Sequence, residues 1–232
     1  MTLRQLHSDL WVAEAPLRFV GLEMGARMTV VRLPDGKVLV HSPIAASDEL
    51  VREVRALGPI AYLVAPNRYH HLYVADWQRA CPDAALYVAH GLDRKRPDLV
   101  VAGVLGDEAE PGWRGALEQV PLAGIPILSE VVFFHPASAT LIATDLAFNI
   151  GHASPPVTRF VFRLFGTFGR LSPTLLERIL VRDRAAFRRS FERVLVWPFE
   201  RVIVAHGEVC EAGGRAQLMH GYRWVLGDGT GT

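Results

Sequence analysis

The chain is poor in cysteine, has no long apolar run and carries no excess of either charge, and each shortage removes a class of protein. Its two cysteines, Cys81 and Cys210, stand far apart. They form neither a zinc-type cluster nor a disulfide framework, so a reducing cytoplasm is the expected compartment. No stretch approaches the roughly 18 apolar residues of a transmembrane helix, and the N-terminal MTLRQLHSDLWVAEAP has no secretory pattern. The 25 basic side chains nearly cancel the 24 acidic ones, which leaves no surplus for general nucleic-acid binding. Gly-rich phosphate loops of the common patterns are missing, so no nucleotide cofactor is expected. The Gly-x-Ser-x-Gly turn of a serine nucleophile is missing as well.

What is present is a substantial core. Half of the 232 residues are hydrophobic and 21% are charged, as in an ordinary globular domain. The pattern predicts strands at Leu10–Glu14, Ala26–Leu33, Lys37–His41 and Ile60–Ala65. Pro34-Asp35-Gly36 turns the second of these back into the third, a β-hairpin. Ser47 caps a predicted helix that Gly58-Pro59 ends. A second hairpin joins Val131–His135 to Thr140–Thr144 around Pro136-Ala137-Ser138. Residues 172–196 read as helical with a break near Asp183, followed by a strand over Arg201–Ala205 and a helix to Leu226. The tail 227–232 reads as disordered. Two hairpins in separate halves, each followed by helices, predict two sheets packed face to face with helices outside: an α/β (α+β) protein built as a four-layer αββα sandwich in a single domain, residues 1–232.

Three apolar strands end in side chains that bind metals or move protons. Ile60–Ala65 runs into Asn67-Arg68-Tyr69-His70-His71, the strand at Thr140 runs into Asp145, and the last strand runs into His206-Gly207. Loops at strand ends are where α/β proteins place their chemistry. Two imidazoles and a carboxylate are a common ligand set for zinc or iron. Paired histidines also serve simply as loop hydrogen-bonders, and Asp145 and His206 read equally well as partners of each other.

The order of elements resembles the metallo-β-lactamase superfamily, and more closely the group within it known as DUF4336. The residues that carry the resemblance are Leu39-Val40-His41-Ser42-Pro43, Ala65-Pro66-Asn67 with His70-His71, Asp145-Leu146 and Ala205-His206-Gly207. The superfamily signature, His-x-His-x-Asp-His, falls here on Asn67, Tyr69, His71 and Leu72, so the histidines of the first metal site are lost. What the resemblance implies is a second site in altered form: His71, Asp145 and His206 holding one zinc or iron ion. His70, His41, Asn67, Tyr69 and Glu130 are the additional or supporting candidates. Asn67 would hold the histidine loop through its amide, and Tyr69 would fill the emptied pocket. Glu130 is one of the polar residues nearest the position of the superfamily's next histidine. The implied activity is single-metal hydrolysis of a small-molecule substrate by a metal-bound water. The alternative is a catalytically silent member that binds a ligand or partner in the same cleft.

The remaining histidines carry less. His90 and His152 could border the cleft, and His7, His135 and His220 look incidental. Residues 157–171, VTRFVFRLFGTFGRL, combine four phenylalanines with three arginines and no acid. They begin a predicted helical insertion over 157–196. The expectation is a cover for the cleft or a subunit contact in a homodimer, with its phenylalanines mostly buried. A membrane-surface segment is the other reading.

Overall fold

The structure is a computed structural model that describes residues 2–227; the expected disorder of 228–232 lies outside the described residues. In chain order the elements are β1 (Arg4–His7), β2 (Leu10–Ala15), β3 (Arg18–Phe19), β4 (Leu22–Glu23), β5 (Ala26–Arg32), β6 (Val38–His41), α1 (Asp48–Leu57), β7 (Ile60–Ala65), α2 (Val74–Ala80), β8 (Ala85–Val88), α3 (Leu92–Lys95) and β9 (Gly103–Val104). The second half continues with β10 (Glu118–Pro121), β11 (Val131–His135), β12 (Thr140–Ile142), α4 (Pro156–Leu164), α5 (Leu175–Leu180), α6 (Arg184–Val196), β13 (Arg201–Ile203), α7 (Gly214–Gly221) and α8 (Arg223–Leu226).

Two sheets form, in the order β1-β2-β5-β6-β7-β8-β9 and β10-β11-β12-β13, with β3 and β4 as a separate small hairpin. Both sheets are mixed. The hairpins pair antiparallel, while β6, β7 and β8 run parallel through intervening helices, as do β12 and β13. Period-two alternation sorts the side chains into layers. Val31, Leu39 and Val64 of the first sheet meet Val131, Phe133 and Ile142 of the second in an inner core. Met28, Val30, Val40 and Leu63 face the other way, onto Leu50 and Val54 of α1 and Trp77 of α2. Val132, Phe134, Leu141 and Val202 pack outward on Phe187, Phe191 and Val194 of α6 and on Leu218 and Tyr222. Each fully buried side chain of this kind contributes roughly 2 kcal/mol of hydrophobic stabilisation. The result is the αββα sandwich the alternation predicts.

Local signals fix the helix starts. Ser47 accepts from the Leu50 amide, Thr174 and Glu177 form a capping box at α5, and Asp183 caps α6 at the predicted break. The segment read as an insertion over 157–196 divides in two. α6 belongs to the outer helical layer, since its apolar face lies on the second sheet. α4 instead packs through Phe162 on Phe148 and Ile150, beside Leu22 of the small hairpin and Met24 just after it. Its phenylalanines are not mostly buried: Phe162 is, but Phe160 is 60% exposed and Phe165 53%. The cause is helical phase. Thr158 and Phe162 take the inward face, which leaves Val157, Phe160 and Leu164 on an outward one.

Candidate metal centre

The site forms where the carboxyl ends of β6, β7, β12 and β13 meet. The Val131 amide donates to the Pro66 carbonyl at 2.8 Å, and the Ala143 amide to Ile203 at 2.9 Å, so the loops that follow these strands are tied together. Gly207 follows His206 at φ +87°, and a Cβ there would run into the Asn149 carbonyl. Only glycine suits that turn.

The histidine loop is shaped by Asn67, which is fully buried. Its Oδ1 accepts from the Tyr69 and His70 amides, both at 2.8 Å. Its Nδ2 donates to Asp145 Oδ2 at 2.7 Å and Thr144 Oγ1 at 2.9 Å. This side-chain turn faces His70 toward Asp145. His70 Nε2 lies 3.4 Å and His206 Nε2 3.5 Å from Asp145 Oδ1. One ligand atom from each of the three residues falls within 4.8 Å of the others.

His71 therefore does not occupy the position expected of it. The tight turn sends neighbouring side chains to opposite sides, and His71 Nδ1 instead accepts from Arg96 Nη1 at 2.8 Å. Burial, then Lys95 and Arg96, lower its pKa to about 4, so it is a neutral acceptor. Tyr69 does not fill a pocket either. The residue is 44% exposed and its ring lies under the Lys95 ammonium, 4.7 Å from the centroid. His90 and His152 are exposed.

The supporting contacts are specific. His206 Nδ1 donates to the Gly25 carbonyl at 2.7 Å, since a carbonyl can only accept, and its ring stacks on Phe148 at 5.4 Å. Ser42 Oγ lies 2.8 Å from His70 Nδ1. Its backbone holds φ at +52°, a costly conformation for a residue with a Cβ, of the kind concentrated at functional sites. Glu130 does not join the cluster. Its carboxylate accepts from the Thr144 amide and hydroxyl and from the Asp145 amide, fixing the turn that aims Asp145. Burial, then the Asp145 carboxylate, push Glu130 up to about 8. Burial would raise Asp145 too, but His70 and His206 outweigh it and hold the carboxyl well below its usual range. At neutral pH the pair thus carries its negative charge on Asp145. His41, on the inner face of β6, is wholly buried against Phe133. Its Nε2 has no hydrogen-bond partner, and burial, then His70, lower its pKa to about 3.

Residues 7–166 match the family model described as a domain of unknown function, DUF4336. The chain belongs to that family. Among solved structures, this DUF4336 protein is similar to a metallo-β-lactamase from Pontibacter korlensis, at 12% identity and a TM-score of 0.67, covering 98% of this chain and 99% of the other. It is similar to the DIM-1 metallo-β-lactamase exposed to ceftazidime, at 16% identity and a TM-score of 0.66, over 97% and 95% of the two chains. It is also similar to the metal-soaked Flv1 flavodiiron core from Synechocystis sp. PCC6803, at 14% identity and a TM-score of 0.67, over 97% of this chain and 60% of that one. At such identities the likeness establishes the metallo-β-lactamase fold. No curated protein matches the sequence.

Sequence reasoning missed Ser42 and the Gly25 carbonyl as supports of the two histidines. Ser42 lies inside the Leu39–Pro43 motif, so the motif was a usable signal. The Gly25 carbonyl had none, since backbone acceptors leave no trace in composition.

Proposed function

We propose that His70, Asp145 and His206 hold one zinc or iron ion and that the protein is a single-metal hydrolase. The spacing of the donors supports this most directly. At 3.4 and 3.5 Å the imidazole nitrogens stand too far from Asp145 Oδ1 for charge-assisted hydrogen bonds, which run at about 2.7–2.9 Å. Those distances suit ligands sharing an ion with bonds of about 2.0–2.1 Å, whose neighbouring donors lie about 3.4 Å apart. The tautomer agrees. With Nδ1 donating to Gly25, His206 presents its other ring nitrogen, Nε2, to the position between itself and Asp145 Oδ1.

When bound, the ion supplies Lewis acidity and lowers the pKa of a coordinated water to ~7. The chain's own residues orient the donors. Gly25 fixes the His206 tautomer, Ser42 sets the His70 ring, and Asn67 and Glu130 fix Asp145 from its side chain and its backbone. The flavodiiron likeness supports iron, and the metallo-β-lactamase likenesses support zinc. Protein purified without added metal or chelator should contain close to one equivalent of one of the two by elemental analysis. Removing it should lower the thermal midpoint, because an ion bound only by the folded state stabilises it. A metal-free protein that takes up neither ion at micromolar concentration contradicts the proposal.

One observation favours a second reading. The three side chains are only 9–12% exposed, which leaves little room for a substrate to reach the ion. On that reading the ion clamps the strand ends and the cleft is catalytically silent. Metal that stabilises the protein, with no hydrolysis across ester, thioester, lactam and phosphodiester substrates, decides for it.

A further inference from the structure

The outward face of α4 has no partner in the described residues. Val157, Phe160 and Leu164 are 60–71% exposed, and Phe165 after the helix 53%. The β3–β4 hairpin adjoins α4 through the Thr158 hydroxyl, which donates to the Glu23 carbonyl at 3.0 Å. That hairpin carries two more exposed apolar side chains, Phe19 at 58% and Val20 at 84%. Monomeric proteins rarely leave so many large apolar groups together on the surface without a binding role.

The charge around this ridge selects its partner. Residues 151–182 contain five arginines and a single acid, Glu177, in a chain otherwise balanced. Glu177 is buried and spent on the capping box of α5. None of the five arginines has a carboxylate within ion-pair reach among the described residues, whereas Arg188, Arg193 and Arg201 further along each hold one. An apolar stripe on a short helix, flanked by guanidinium groups that no carboxylate neutralises among the described residues, suits the interface of a bilayer with anionic headgroups. It suits a second copy of the same surface poorly, because that pairing would bring arginine against arginine. Among the described residues no helix is long and apolar enough to cross a membrane, so the contact lies along the surface.

We propose that α4 and the β3–β4 hairpin dock this protein on anionic membrane surfaces, with Phe160, Leu164 and Val20 entering the headgroup–acyl boundary and Arg163 and Arg170 meeting phosphates. The inference is independent of the metal centre. The test is cosedimentation of the full chain with vesicles of phosphatidylcholine alone or with about 30 mol% phosphatidylserine. Binding to the anionic vesicles should be at least ~10-fold stronger, and Phe160→Ser with Leu164→Ser should weaken it by ~10-fold or more. Both residues are exposed, so the thermal midpoint should stay near that of the wild type. Val196→Ser, at an 80% exposed apolar position on α6, should bind as the wild type does. Equal binding to both vesicle types, or a double variant that binds unchanged, overturns the proposal. So does concentration-dependent dimerisation that the double variant abolishes while no vesicle binding is seen.

Discussion

Asn67→Ala should destabilise the protein by about 3 kcal/mol and weaken metal binding roughly 10- to 100-fold. The effect is large because one buried amide serves four partners. Without it the Tyr69 and His70 amides lose their acceptor, and Asp145 Oδ2 and Thr144 Oγ1 lose a donor. Each buried group left unpaired costs about 1–3 kcal/mol, and some of that returns as water enters the cavity. The metal effect has a separate origin, since the same side chain turns His70 toward Asp145. Urea unfolding of the chelator-treated protein reads the first quantity and metal titration the second. An alanine variant within ~0.5 kcal/mol of the wild type, with metal affinity unchanged, shows that the loop is held by something else.

The metal-free protein should lose stability as the pH falls from 6.5 to 4.5. His41 is held near pKa 3 and His71 near 4, against an ordinary value of about 6.5. Burial lowers the pKa of His135 as well, so between pH 6.5 and 4.5 the unfolded chain binds protons at His41, His71 and His135 that the folded chain takes up less readily. Glu130 acts in the opposite sense. Pushed up to about 8, it keeps a proton in the folded state that the unfolded state releases above about 4.5. Burial raises Glu177 in the same sense, and the three histidines outweigh the two glutamates, so stability is lost as pH falls, by ~1.4 kcal/mol per pH unit for each net proton. His41→Leu removes one of the three histidine contributions and should make that slope clearly shallower. A wild-type stability flat between pH 4.5 and 6.5, or an equal slope in the variant, is inconsistent with a buried neutral His41.

Most of the architecture was legible because its signals are local. The alternation in Ala26–Arg32 and Val131–His135 assigns each side chain to a layer, and Ser47 and Asp183 mark helix starts by their own chemistry. The strand ends at Asp145 and His206 were legible for the same reason: an apolar run stops at a polar residue. The choice between His70 and His71 was not. It depends on a turn closed by the Asn67 side chain, and a one-residue change of phase there swaps the inward and outward histidines. Counting along the superfamily signature favoured His71, but that signature describes a loop with histidines at positions 67 and 69, which this chain does not have. The exposure of α4 was illegible in another way. Its periodicity shows an apolar face and cannot say whether anything covers it.

The most direct measurement is metal binding by His70→Ala beside His71→Ala. Each metal-free protein would be titrated with zinc and with ferrous iron, and bound metal counted per chain. If His70, Asp145 and His206 form the centre, the wild type takes up one equivalent and His70→Ala loses at least ~100-fold in affinity. His71→Ala keeps the full equivalent and gives up only its contact with Arg96. Full binding by His70→Ala, or loss in His71→Ala alone, contradicts the assignment.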